Sequence, residues 1–483
     1  MVNYCYHTNC KGFAIRLPQN DQNTVYQNPP AITIVEPPLK PVAVDFNGGK
    51  LTSDGGAILL DLVDKKIRLL ERIDELIFDP RDPLYITHQQ RDLLAQRIFG
   101  IALAYEDVND HIRLRHNPAL VAAIKNTTDE EQPLGSASTL SRLENRITEK
   151  EISDLNKLFV EIFIESFDAP PKQIILDVDA TDDTIHGNQE GKYFSGFYDD
   201  YCFLPLYFFC GGQLLWAQLR TSNKGQAFGA VAIFDYIVKR IKQAFPDVEI
   251  VFRGDAGFYS PKLLWYCERH GYKYILGYSS NAVLKRMSAN IVCASKLFFK
   301  DAGSQESFRM YDEFQYQAGS WKVPRKIIVK AERLPNGNDL DGRENTRYIV
   351  TNLEGTPQSL YEDVYCARGD MENRIKEQQR MLFADRTSCH DFTANRFRLF
   401  LSSCAYVLLE TIRRTALHGT QLENAQCDTI RLKLFKIAAV VKESTRRILF
   451  SFPSSFPFQE LWLRVADRLR FRRLFEFLPV PSD

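Results

Sequence analysis

Carboxylates that could do chemistry stand at three places in this 483-residue sequence: Asp177 or Asp179, Asp255, and Glu372. Asp177 and Asp179 close the stretch "KQIILDVDA", which reads as a strand over Gln173–Asp179. Strand side chains alternate, so Ile175, Asp177 and Asp179 share one face, while Ile174, Leu176 and Val178 take the other. Aspartate is disfavoured in strands, so two at a strand end call for a reason. Either they cap the turn "ATDD", or one binds a metal at the carboxyl edge of a sheet. Asp255 repeats the situation after "VEIVFR", in a Gly-Asp-Ala-Gly turn whose small residues allow close approach. Each acid alone reads more readily as structural. Together, at the ends of neighbouring strands, the balance reverses.

Glu372 lies in "YCARGDMENRIKEQQR". On a helix, Tyr365, Arg368, Glu372, Lys376 and Gln379 form one stripe beside the largely apolar Met371, Ile375, Gln378 and Leu382. Taken alone, this is a solvated helix in which an Arg368–Glu372 pair contributes about 0.3–0.5 kcal/mol. Gly369 costs such a helix about 1 kcal/mol relative to alanine, or marks its start. Three acids without His or Cys suit Mg²⁺, which prefers hard oxygen ligands. Two such ions about 3.5–4 Å apart serve both the attacking and the leaving oxygen of a phosphodiester displacement.

Neighbouring elements must bring these acids together. "FLPLYFFC" and "QLLWAQLR" read as two more strands around the turn Gly211–Gly212. A helix, the strand before Asp255, a second helix and the strand "YKYILGY" follow. Three adjacent strands, then helix, strand, helix, strand, is a ribonuclease H-like order. The predicted fold class is therefore α/β: a ribonuclease H-like catalytic core with a mainly β insertion, flanked by N-terminal and C-terminal helical regions. The expected divisions are an extended, proline-rich arm over 1–45 and a helical domain, expected to bind DNA, over 46–168. The core runs over 169–279, a β-rich insertion over 280–352, and the rest of the core over 353–415. The C-terminal helical region covers 416–483, with helices at 428–448 and 457–476. Asp54 is expected to cap the long amphipathic pattern "GGAILLDLVDKKIRLLERI".

A formal net charge of +0 gives no global field for attracting DNA, though it leaves local patches open. Arg464, Arg468, Arg470, Arg472 and Arg473 crowd the tail; they read equally as salt-sensitive DNA contacts or as a solvated helix face. Trp321 reads more readily as packing than as a stacking platform for an unpaired base. Cys5 and Cys10 flank His7, but no second ligand pair follows at zinc-finger spacing. No apolar run long enough for a membrane span is present, no secretory pattern opens the chain, and a cytoplasmic location is expected.

The ordered set "LTSDGG", "RIFGIALAYEDVNDH", "STLSRLENR", "ILDVDATDD", "HGNQEGKYFSGFYDDYCFLPL", "FRGDAGF", "RYIVTNL" and "YCARGDMENRIKE" resembles DDE transposases of bacterial insertion sequences. The likeness is to the insertion sequence 1380 family within the insertion sequence 4-like class. It implies that Asp179, Asp255 and Glu372 are the catalytic, metal-holding acids, 76 and 117 residues apart. Tyr365 and Arg368 match the family's Tyr-x2-Arg-x3-Glu-x6-Lys pattern and imply DNA contacts. Gln379 stands where the family has lysine, so either Lys376 or Arg380 supplies that cation or the contact is lost. The resemblance implies two Mg²⁺ ions, with Mn²⁺ as a substitute. It implies double-stranded DNA, both transposon ends and target, as partner, and a homodimer in the DNA complex. A catalytically inactive DNA-binding protein is the alternative, and a glycosidase using paired acids a third reading.

Overall fold

The computed structural model describes residues 32–34, 42–45, 47–129, 132–302, 306–337 and 339–470. Most of the expected arm, the Cys5–His7–Cys10 group, and Arg472 and Arg473 lie outside the described residues.

A mixed sheet organises the chain. Its strands are β1 (Gln173–Ala180), β2 (Leu206–Cys210), β3 (Gln213–Gln218), β4 (Glu249–Gly254) and β5 (Lys273–Tyr278). They lie in the order β3-β2-β1-β4-β5. The first three are antiparallel, and β4 and β5 run parallel to β1. This is the ribonuclease H-like order expected. Ile174, Leu176 and Val178 are buried in a core shared with helices Ala230–Ala244 and Pro261–His270. The alternation that marked β1 thus corresponds to two different faces.

The segment after β5 begins with two helices that its sequence was not expected to hold, Ala282–Met287 and Ala289–Asp301. Its strands do not form a separate sheet. β6 (Phe308–Tyr316), β7 (Arg325–Asn336), β8 (Asp339–Glu344) and β9 (Arg347–Thr351) extend the central one, because β9 pairs antiparallel with β5. Apolar Ile327, Ile328, Val329, Ile349 and Val350 are all buried, so this extension has two covered faces.

Helix α1 (Gly369–Leu382) then crosses the sheet, and α2 (Phe392–Thr411) runs buried along nearly its whole length. One continuous core joins α2 to the N-terminal helices and to C-terminal elements. The long N-terminal pattern divides into Ile58–Ile67 and Leu69–Leu76 at Arg68, whose φ is +53°. The side chain of Asp64 accepts from the Leu70 N–H at 2.8 Å and secures that break. Asp54 is not a helix cap. It is fully buried and accepts from Tyr105 (2.8 Å), Asn117 (2.8 Å) and Lys436 (2.7 Å).

The helix expected at 428–448 ends by Phe435; Ala439–Ser444 and Arg447–Ser451 form a hairpin instead. Leu51–Thr52, distant in sequence, supplies the third strand and satisfies the hairpin's inner edge. A final helix spans Gln459–Leu469.

Candidate active site

Asp179 and Asp255 stand side by side at the carboxyl edge of the sheet, Asp179 on β1 and Asp255 just past β4. β4 pairs with β1 so that Gly254 stands opposite Val178. The residue after each, Asp255 just past β4 and Asp179 on β1, is therefore level with the other. Close packing makes this possible. A Cβ on Gly254 would meet Val178 Cγ1 at 2.9 Å. Beyond it, Asp255 caps a short 3₁₀ turn and accepts from the Gly257 N–H at 2.8 Å. Gly277 on β5 lies beneath: a Cβ there would meet the Ala256 nitrogen at 2.7 Å and the Tyr365 hydroxyl at 2.8 Å.

Asp177 and Asp179 share a face but not a fate. Asp177 is buried against Arg253, which donates to both its oxygens, Nη2 to Oδ2 at 2.7 Å. Arg253 also donates to the carbonyl of Val364, tying the sheet to the segment before α1. Sequence reading passed over Arg253. Its signal was there: one cation at the end of the otherwise apolar "VEIVFR", on the strand next to Asp177.

The approach to α1 is irregular. Leu360–Tyr365 is wound as a π-helix and Cys366–Arg368 as a 3₁₀ turn, and the α-helix starts at Gly369. Short π segments recur at functional sites. Here the winding carries Tyr365 and Arg368 over the sheet edge. Arg368 joins two of the acids: Nη1 reaches Asp179 Oδ2 at 3.0 Å and Nη2 reaches Glu372 Oε1 at 2.8 Å. Glu372 keeps 41% of its side chain exposed, whereas Asp179 is largely covered. Lys376 is exposed one turn further on.

The electrostatics follow from this crowding. Burial lifts the Asp179 carboxyl to about 6; Arg368 opposes the rise, and Asp255 and Glu372 add to it. Tyr365 is raised by burial, with Arg368 opposing and Asp255 adding. Burial opposes the charge on Arg368, but Asp179, Glu372, Tyr365 and Asp255 around it raise its pKa all the same. A cluster of carboxylate oxygens with surplus negative charge suits a hard divalent cation. In this arrangement the guanidinium lies between Asp179 and Glu372. Among the described residues no three His, Cys, Asp or Glu side chains stand at metal-holding distance.

Gln379 does not face outward as a cation would. Its Nε2 donates to the Asp182 carbonyl at 2.9 Å and to Thr181 Oγ1 at 3.3 Å, bracing the turn that follows Asp179. Asp183 in the same turn is buried and accepts from Thr387 at 2.8 Å. Trp321 is 4% exposed and donates to the Tyr259 hydroxyl at 2.6 Å, so it packs and offers no open ring face. In the tail, Arg468 donates to the carbonyls of Ala416 and His418, a structural use of one of the clustered arginines.

The sequence profile of the family described as "Transposase DDE domain group 1" matches residues 38–474. Comparison with curated proteins finds no match. Among solved structures, the chain is similar to one described as the cryo-EM structure of the piggyBac transposase synaptic complex with hairpin DNA. The identity is 10%, covering 89% of this chain and 87% of that one, with a TM-score of 0.38.

Proposed function

The chain belongs to the DDE transposase family, and from that premise we propose that Asp179, Asp255 and Glu372 are the acids with which it cuts and rejoins DNA. It binds the terminal inverted repeats of an insertion sequence, of the insertion sequence 1380 family, as a dimer that holds two ends. It frees a 3′-OH at each end and directs it at a target phosphodiester. The observation that carries this reading is the level placing of Asp179 and Asp255 at the carboxyl ends of adjacent parallel strands, with Arg368 linking Asp179 to Glu372.

The three carboxylates would hold two Mg²⁺ ions, with Mn²⁺ as a substitute, once Arg368 gives up its place between Asp179 and Glu372. Bound there, divalent ions polarise the attacking and leaving oxygens of an in-line displacement. The chain's own residues do the rest. Gly254 and Gly277 let the backbone bearing Asp255 settle close to the sheet. Gln379 holds the turn behind Asp179. Arg368, Tyr365 and Lys376 register the DNA backbone, which positions the cut without reading sequence. Arg368 offers two donors in a fixed fork, suited to a phosphate as well as a carboxylate.

The test uses DNA carrying the inverted repeats that bracket the gene. Wild-type protein with Mg²⁺ should cut at the repeat end, and Asp255→Ala should not. A wild type as inert as that variant, while still binding the DNA, would favour a non-catalytic DNA-binding protein instead.

A further inference from the structure

Between β1 and β2 a small sheet stands out from the catalytic edge. Asp183–Thr184, Asp200–Phe203 and Tyr193–Ser195 pair in that order. Four of the exposed large aromatics fall within nine residues here: Tyr193 (44%), Phe194 (52%), Phe197 (80%) and Tyr201 (46%). Large apolar side chains exposed together mark a binding surface more often than a solvated one. No aliphatic residue falls between Tyr193 and Tyr201. Phe194 and Tyr201 are cross-strand partners with rings 5.5 Å apart, and Lys192 Nζ lies 4.7 Å from the Tyr201 ring centre.

The hairpin is both anchored and aimed. Ser222 donates to the Tyr193 carbonyl at 3.0 Å, and the Glu190 N–H to the His390 carbonyl at 2.9 Å. Phe197 packs edge-on against Tyr198, ring centres 4.8 Å apart. Tyr198 lies beside Gln226. Gln226 lies against Gly257, where a Cβ would overlap its Oε1 at 1.6 Å, and the Gly257 N–H donates to Asp255. The tip is thus two side chains away from the acid loop. Asp199 and Asp200 at the turn leave the patch without net positive charge. What it offers is ring faces.

Resting on the transposase reading above, we propose that the Tyr193–Tyr201 hairpin is a stacking platform for unpaired bases of a DNA strand led away from the cleavage site. Every base has a π-face, so such a platform tolerates any sequence. It would hold the strand that must part from its complement when an end is cut. This is the role that Trp321, being buried, cannot fill.

The probe is a fluorescein-labelled oligothymidylate, compared with the same strand annealed to its complement, titrated with the full chain. Phe194→Ala/Phe197→Ala should weaken single-strand binding by about tenfold or more and leave duplex binding within about twofold. The salt dependence of binding should not change, because no phosphate contact is lost. Phe197→Trp should bind the single strand at least as well as wild type. Equal loss on single strand and duplex, or no loss on either, would overturn the proposal. So would a dimer-to-monomer change in light scattering with strand binding unaltered, which would make the patch a contact between copies. Strand binding that depends on the hairpin in a protein that never cuts repeat ends would defeat the transposase reading while supporting base stacking at the hairpin.

Discussion

Asp179 is where the charges of the site converge. Its carboxyl sits near 6 because it is buried beside Asp255 and Glu372, with one guanidinium in compensation. An acid whose folded pKa exceeds its unfolded value of about 3.9 favours folding when protonated. Its contribution is complete below that unfolded value and is lost as pH rises through about 6. Metal-free Asp179→Asn should therefore gain stability on wild type between about pH 4 and pH 7, by on the order of 2 kcal/mol. Urea unfolding of both proteins at the two pH values measures this; parallel stabilities would contradict it. Gln379 makes a second prediction. Removing its two bonds to Thr181 and Asp182 should cost little stability, about 1 kcal/mol. It should slow end cleavage about tenfold or more by loosening the turn behind Asp179. Gln379→Lys should not restore the rate, since the side chain braces that turn and grips no phosphate. Single-turnover rates on repeat-end DNA distinguish these outcomes.

Among the elements, β4 and β5 decide where Asp255 goes. Gly277→Ala places a methyl 2.7 Å from the Ala256 backbone nitrogen and 2.8 Å from the Tyr365 hydroxyl. Backbone cannot yield as a flexible side chain can, so the variant should lose about 1–3 kcal/mol and most of its cleavage activity. Thermal melting and the cleavage assay read the two effects, and a variant with unchanged melting would show that the acid loop has slack. The strands flanking this glycine were legible in the sequence because β-branched and aromatic residues alternate or run together between turn residues. So were Asp179 and Asp255, which interrupt those runs. The π-wound turn ahead of α1 was not, because Tyr365 and Arg368 also fit the stripe of a regular helix. The hairpin at 439–451 was missed for a related reason. "KIAAVVKESTRRILF" is rich in residues that suit a helix, and the strand that completes its sheet is Leu51–Thr52, far away in the chain. Local preference yielded there to a distant partner.

Across the whole molecule, the N-terminal helices, α2 and the C-terminal segment share one core. Asp54 ties its ends together, holding Lys436 from the far end of the chain beside Tyr105 and Asn117. Asp54→Ala would strand a partly buried ammonium and two polar groups, so the loss should be about 3 kcal/mol or more. Because the core is continuous, calorimetry of the variant should show one transition at lower temperature. A separate early transition would mean that the N-terminal helices unfold alone. The same core braces the N-terminal helices directly against α2. No described helix is long and apolar enough to cross a membrane.

The central claim is that Asp179, Asp255 and Glu372 act as one set of acids in DNA cleavage. The most direct measurement is Mg²⁺-dependent cutting of repeat-end DNA by wild type, Asp179→Asn, Asp255→Ala and Glu372→Gln, each first shown to bind that DNA. All three substitutions should abolish cutting while binding persists. Full cutting by any one of them would remove that residue from the set and contradict the account.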